Sequence, residues 1–232
     1  MTVLYLTPTL LSETTVSTVI PSDVTTIIHG LRQFIVEDVR TARRFLSQIK
    51  HPGPIDQLYF KIYNEHTKES EMPSFLPFLL TENTGLFSEA GMPGVADPGA
   101  EIVRLAHTNG IKVVPLVGPS SVLLALIASG LNGQSFAFAG YLPVKQNERI
   151  ESIRKFEKRS ASERQTQIFI ETPYRNMQLL RDIMHCCRDD TQLTIAADVT
   201  GKNEFILTQN IRQWKKNLPQ LNRIPAVFLM QA

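Results

Sequence analysis

A twelve-residue loop, Ser88-Glu89-Ala90-Gly91-Met92-Pro93-Gly94-Val95-Ala96-Asp97-Pro98-Gly99, joins an apolar strand run to a helical pattern. Its glycines let the backbone approach a ligand closely, and Glu89 can accept hydrogen bonds from sugar hydroxyls or an amine. A bare connection needs only ~2–6 residues, so the length of this one points to binding. Asp97-Pro98 at its end reads as a helix cap followed by proline at the first helical position. Gly118-Pro119-Ser120-Ser121 repeats the design of strand, tight turn and helix start. The free N–H groups of that start can hold an electronegative group; a cap by Ser120 or Ser121 is the structural alternative. Glu37-Asp38-Val39-Arg40 follows another strand run. Asp38 can cap the helix there, and Arg40, Arg43 and Arg44 can meet phosphate or simply face water. Ile170-Glu171-Thr172-Pro173-Tyr174-Arg175 is the counterpart in the second half, with Glu171 at a strand end.

Other chemistries lack their residues. There is no Gly-x-Gly-x-x-Gly turn, no Walker loop and no Gly-x-Ser-x-Gly elbow. The five histidines show no ligand spacing, and the adjacent Cys186 and Cys187 cannot close a tetrahedral zinc site, so no metal is expected. The two thiols fit a reducing compartment. The start lacks a basic leader pattern and no apolar run approaches ~20 residues, so a cytoplasmic, membrane-free protein is expected.

These groups need a scaffold that brings strand ends together. Short apolar runs alternate with longer helical patterns along the 232 residues, which is the βαβ texture of a mostly parallel sheet. The texture changes at Gly140-Tyr141-Leu142-Pro143. Two α/β domains are expected, residues 1–142 and 143–232. From Lys145 to Arg164 the chain is polar and helical, with seven basic and four acidic residues, against a net charge of +2 for the whole chain. Ile150, Ile153 and Phe156 form a narrow apolar stripe on it, so the rest of this helix should stay wet. The overall charge sets up no global field of the kind a polyanion-coating protein carries.

The motifs together resemble the tetrapyrrole-methylase superfamily of S-adenosylmethionine-dependent methyltransferases, most closely its ribosomal small-subunit RNA methyltransferase I branch. That branch carries Glu-Asp-Thr-Arg where this chain has Glu37-Asp38-Val39-Arg40. Its Ser-Asp-Ala-Gly-Thr-Pro and Ser-Asp-Pro-Gly are similar to Ser88–Pro93 and Ala96–Gly99. Its Pro-Gly-Pro-Ser-Ala, Gly-Phe-Leu-Pro-x-Lys and Tyr-Glu-Ser-Pro-His-Arg stretches are similar to Val117–Ser121, Gly140–Lys145 and Ile170–Arg175. Three places depart: Thr7-Pro8-Thr9-Leu10-Leu11-Ser12 lacks the family's Gly-Asn, Tyr63-Asn64-Glu65 replaces His-Asn-Glu, and Met92 replaces Thr. The first two fall in the half expected to meet the acceptor.

The resemblance implies two α/β domains with S-adenosylmethionine in the interdomain cleft, a homodimer, and methylation of a ribose 2′-hydroxyl in the decoding region of 16S ribosomal RNA. Carried onto this sequence, the cofactor-binding residues are Pro8, Ser88, Glu89, Ala90, Gly91, Met92, Val95, Ser120, Ser121, Glu171, Thr172, Asp198, Pro225 and Ala226. Glu37, Asp38 and Glu65 are the candidate bases by position. Arg40, Arg43, Arg44, Lys145, Arg154, Lys155, Lys158 and Arg159 are the candidate RNA contacts. Two alternatives stand beside this: methylation of a small molecule such as a tetrapyrrole precursor, although the porphyrinoid enzymes' Gly-Asp-Pro turn is absent, and a cofactor-binding relative without activity.

Overall fold

A computed structural model describes residues 2–232. The chain divides into two compact units at Ser120/Ser121.

The first unit runs β1 (Val3–Thr7), α1 (Val16–Val19), α2 (Ser22–His29), β2 (Gln33–Val36), α3 (Val39–Gln48), β3 (Tyr59–Ile62), α4 (Phe75–Thr81), β4 (Thr84–Phe87), α5 (Ala100–Thr108) and β5 (Lys112–Pro115). Its sheet has the order β3-β2-β4-β1-β5, with every pair parallel. Of the inner strands, β2 and β4 are buried at every position, including the polar Gln33 and Thr84, and β1 is buried in part, as strands covered by helices on both faces are. Two apolar layers cover the sheet. One gathers Val24, Ile28, Phe34, Phe45 and Phe87; the other gathers Leu4, Ile35, Phe75, Leu79 and Ile102. The buried Gln33 side chain donates to the carbonyls of Phe78 (2.7 Å) and Glu82 (3.0 Å), tying the end of α4 to β2.

The second unit runs α6 (Ser121–Ser129), β6 (Phe136–Tyr141), α7 (Gln146–Glu163), β7 (Thr166–Glu171), α8 (Asn176–Cys186), β8 (Gln192–Ala197), β9 (Phe205–Asn210), α9 (Ile211–Trp214) and β10 (Ala226–Gln231). Its strand order is β6-β7-β10-β8-β9. Only β6 and β7 are parallel; β10 runs antiparallel to both β7 and β8, and β9 antiparallel to β8.

Three expectations change. The boundary expected after residue 142 moves to Ser120/Ser121, because β6 pairs with β7 in the second sheet and α6 packs on that sheet. The mostly parallel texture holds for the first sheet alone. The α7 segment is only partly wet outside its stripe. Arg149 and Glu157 are buried on the same side as Ile153. The Arg149 guanidinium donates to Asp182 Oδ2 (2.8 and 2.6 Å) and to the carbonyl of Val144 (2.6 Å). Glu157 Oε1 accepts from the Arg188 backbone (2.8 Å) and the Thr191 hydroxyl (2.5 Å). Among the described residues no helix is long and apolar enough to cross a membrane.

Candidate functional site

In the first unit the chain leaves β1 toward β2 and leaves β4 in the opposite direction, toward β5. Loops that part in this way at the carboxyl ends of parallel strands leave a crevice, where open α/β sheets bind ligands. Here the loops are stitched together. Thr9 N–H donates to the Gly91 carbonyl at 2.8 Å, and Ser88 Oγ donates to the same carbonyl at 3.2 Å. Gly91 has φ +78°, and a Cβ there would stand 2.7 Å from Leu11 Cδ2 and 3.2 Å from the Pro119 carbonyl. A Cβ on Gly118 would stand 2.2 Å from Pro8 Cβ. Glycine at both positions is therefore a condition for the three loops to meet. Pro8, Ser88, Glu89, Ala90 and Gly91 are brought together in this way; Met92 is half-buried and Val95 is exposed further along the loop. Ser120 directly precedes the first residue of α6, Ser121.

A cavity of about 260 Å³ opens among these loops, between the Thr9–Glu13 segment, α3 and Ser88–Ala90. Glu37 and Asp38 both line it, with different fates. Asp38 caps α3: its Oδ1 accepts the Thr41 N–H at 2.7 Å, and that bond with the Thr41 hydroxyl holds its carboxyl below the ordinary range. Glu37 is half-buried, and its pKa is pushed up to about 7, first by burial and then by the negative charge of Asp97, with Glu89 and Glu65 adding. The Glu89 N–H, 3.3 Å from Glu37 Oε1, opposes the rise. Asp97 is pushed up to about 6 by burial and by Glu89, with the Ser88 hydroxyl opposing. Asp97 is thus no helix cap. The helix starts three residues later, with Gly99 as its N-cap residue. Glu65 is exposed, lies 3.6 Å from His66 Nε2, and does not line the cavity.

In the second unit Ala226 pairs with Glu171 on one side and Ala197 on the other, and Asp198 N–H donates to the Pro225 carbonyl at 2.9 Å. Glu171, Thr172, Asp198, Pro225 and Ala226 therefore gather at one end of the second sheet. Glu171 Oε1 accepts from Thr172 N–H (2.6 Å) and from Arg175 Nε and Nη2 (2.9 and 2.6 Å). Its Oε2 is buried and has no hydrogen-bond partner among the described residues, and Thr200 Oγ1 shares that state. Asp198 adopts φ +49° and spends its Oδ2 on the Asn203 N–H (3.0 Å), so its carboxylate serves its own turn.

The candidate RNA contacts lie on two helices. On α3, Arg40 is exposed, the Arg43 guanidinium sits 5.5 Å above the Phe60 ring, and Arg44 lies 3.5 Å from Glu13. On α7 and at its start, Arg154, Lys155 and Lys158 are exposed, while Lys145 and Arg159 make exposed pairs with Glu148 and Glu163, each at 3.2 Å. Sequence reasoning missed Thr41 and Gln48, which line the cavity from α3. Their spacing with Arg44 and Phe45 was the available signal: four positions on one helical face, three of them polar.

The family model for tetrapyrrole (corrin/porphyrin) methylases matches residues 33–214, and the chain belongs to that family. Within it, the chain is similar to proteins named ribosomal RNA small subunit methyltransferase I. The one from Vibrio cholerae is 31% identical over 78% of this chain and 60% of its own length; the one from Bacillus subtilis is 30% identical over 92% and 69%. The chain thus spans about 60% of the length of the first of these relatives. The fold is similar to that of the crystal structure of the methyltransferase CobJ, with a TM-score of 0.63 over 99% of this chain and 92% of that one, at 16% identity.

Proposed function

We propose that this chain is an S-adenosylmethionine-dependent methyltransferase acting on a ribose 2′-hydroxyl of 16S ribosomal RNA. The observation that carries the reading is Glu37, a half-buried carboxyl in a cavity at the carboxyl end of β2 with its pKa pushed up to about 7. A ribose hydroxyl is a poor nucleophile near neutral pH, and a base serves it best when the base's own pKa lies near the working pH. The relatives' name supplies the acceptor class.

The residues present suit the cofactor. The buried, unpartnered Glu171 Oε2 can accept from an amine or a ribose hydroxyl. The residues that the resemblance assigns to the cofactor are, in the first unit, the Ser88–Val95 loop with Pro8 and Ser120 and, in the second, Ser121, Glu171, Thr172, Asp198, Pro225 and Ala226. S-adenosylmethionine supplies, when bound, a sulfonium methyl for in-line transfer to the acceptor oxygen. The chain's part is to align that oxygen and take its proton. Glu37 Oε1 receives the Glu89 N–H, which leaves Oε2 for the proton as the O–CH3 bond forms. Asp38, held ionised by its capping bond, and the exposed Glu65 do not share this role. Homodimerisation and a cytoplasmic setting belong to the same proposal and rest on the resemblance.

The test is incubation with labelled S-adenosylmethionine and small ribosomal subunits lacking modifications, followed by mapping of the label. Label on one ribose 2′-oxygen is the expected result. Glu37→Gln should lower the transfer rate ~10²–10⁴-fold while S-adenosylmethionine still binds by calorimetry. The wild-type rate should climb as pH rises through about 7 and level off above it, because Glu37 must be ionised to act. Transfer to a tetrapyrrole precursor but not to RNA, or cofactor binding with no acceptor at all, would overturn the reading.

A further inference from the structure

The cavity beside Glu37 has two unlike walls. Leu10 and Leu11 stand on one side, with Val36, Phe45 and Phe87 contributing apolar surface. The other side is a face of α3. Thr41, Arg44, Phe45 and Gln48 recur there at positions i, i+3, i+4 and i+7, so three polar side chains run along one edge of the space. Glu13 and Arg44, one from each side, lie 3.5 Å apart and are 87% and 69% exposed. A pair so exposed is screened by water and contributes little, so a phosphate can take Arg44 from Glu13 at little cost.

An apolar slot with a polar edge and a cation beside it has the chemistry of one nucleotide: a flat base, its hydrogen-bonding edge and its phosphate. Sequence-specific RNA readers work on splayed single-stranded bases in this manner. The cavity's 260 Å³ also falls just under the ~300–1,000 Å³ of sites for drug-sized ligands, which suits one base better than a four-ring macrocycle. We propose that this cavity receives the base of a single-stranded RNA nucleotide, with Thr41 and Gln48 on its hydrogen-bonding edge and Arg44 on its phosphate. The inference rests on the reading above that the chain acts on RNA. It adds where the nucleotide is gripped and which side chains choose it. With the base held there, the attached ribose is presented to Glu37, a lining residue of the same cavity.

The experiment uses the full chain and four RNA hexamers, each of a single base, with binding read by fluorescence polarisation. Gln48 is exposed on its helix, so Gln48→Trp fills the space without entering the core. The expected loss of affinity for the preferred hexamer is about tenfold to a hundredfold, the scale of one base contact. S-adenosylmethionine affinity by calorimetry should stay unchanged. Gln48→Ala and Thr41→Val leave the space open and should flatten the preference among the four hexamers, which keeps the test alive if the tryptophan variant misfolds. Wild-type binding by Gln48→Trp with a native circular dichroism spectrum overturns the proposal. So does its loss of S-adenosylmethionine binding, which assigns the cavity to the cofactor, and so does failure of the wild type to bind any hexamer. The two readings fail separately. A wild type that binds hexamers through Gln48 yet methylates no RNA sinks the enzyme assignment and leaves the pocket. A wild type that methylates RNA while Gln48→Trp does so equally well sinks the pocket alone.

Discussion

Glu37 and Asp38 are neighbours in sequence with opposite electrostatics. One emerges from β2 against Asp97 and Glu89; the other turns back onto the Thr41 amide. A carboxyl whose folded pKa lies above its ordinary 4.5 binds protons more tightly in the folded chain than in the unfolded one. Its contribution is therefore fully present below about 4.5 and is lost as pH rises through about 7. Glu37→Gln should accordingly melt at a higher temperature than the wild type at pH 8, and the advantage should vanish at pH 4; calorimetric melts across that range check it. On the proposed role of Glu37, the variant that gains stability is the one expected to lose turnover. At this scale the sequence offers Glu37, Asp38 and Glu65 as bases by position without ranking them, and it gives no sign that Asp97 and Glu89 are the carboxyls that crowd Glu37. Asp97-Pro98 has the form of a helix cap, yet the helix begins at Ala100 and leaves Asp97 half-buried beside Glu37. Which carboxyl faces the cavity depends on where a strand ends and a helix begins, within a residue or two, and spacing does not resolve that.

At the scale of elements, α7 was legible in its limits and not in its attachment. The polar, helical pattern spans 145–164 and the helix spans Gln146–Glu163. Arg149, counted among the solvated cations, is 1% exposed and clamped by Asp182 from α8. Nothing local marks a basic residue as buried when its partner lies 33 residues further along the chain. The pair carries a firm expectation. Asp182→Asn leaves the guanidinium buried without its counter-charge and should cost about 3–5 kcal/mol in urea unfolding. Arg149→Met with Asp182→Leu, which removes both charges, should recover most of that loss. The direction of β10 was hidden for a related reason: an apolar strand run reads alike in either direction, so the mixed pairing of the second sheet left no trace in the composition. No local signal marks helix α2, because Val-Thr-Thr-Ile-Ile is β-branched throughout, a local bias toward strand that burial of Val24 and Ile28 overrides.

Across the whole molecule, charge is balanced to +2, so any RNA footprint must come from local basic stretches. Arg154, Lys155, Lys158 and Arg159 are exposed within a single helix. Replacing all four with Gln should lower the slope of log affinity against log salt by up to ~3 for a ribosomal RNA fragment, at roughly 0.7–0.9 per phosphate contact. S-adenosylmethionine binding should not move. An unchanged slope would assign this helix to solubility and leave the phosphates to α3. The change of texture marks two units, but the turn at Gly140–Pro143 is a stronger punctuation mark than the junction at Ser120, where the units part.

The strand order of the second sheet bears on how the protein is made. All five strands of the first sheet lie before residue 116, so a nascent chain can complete that sheet while the rest is still being synthesised. In the second sheet the last strand to emerge, β10, occupies the centre, between β7 and β8. Until residues 226–231 arrive, those two strands each present an unpaired apolar edge, the kind of surface that draws a second nascent chain into aggregation. A chain cut at residue 225 would hold a finished first unit and two separate two-stranded pieces of the second.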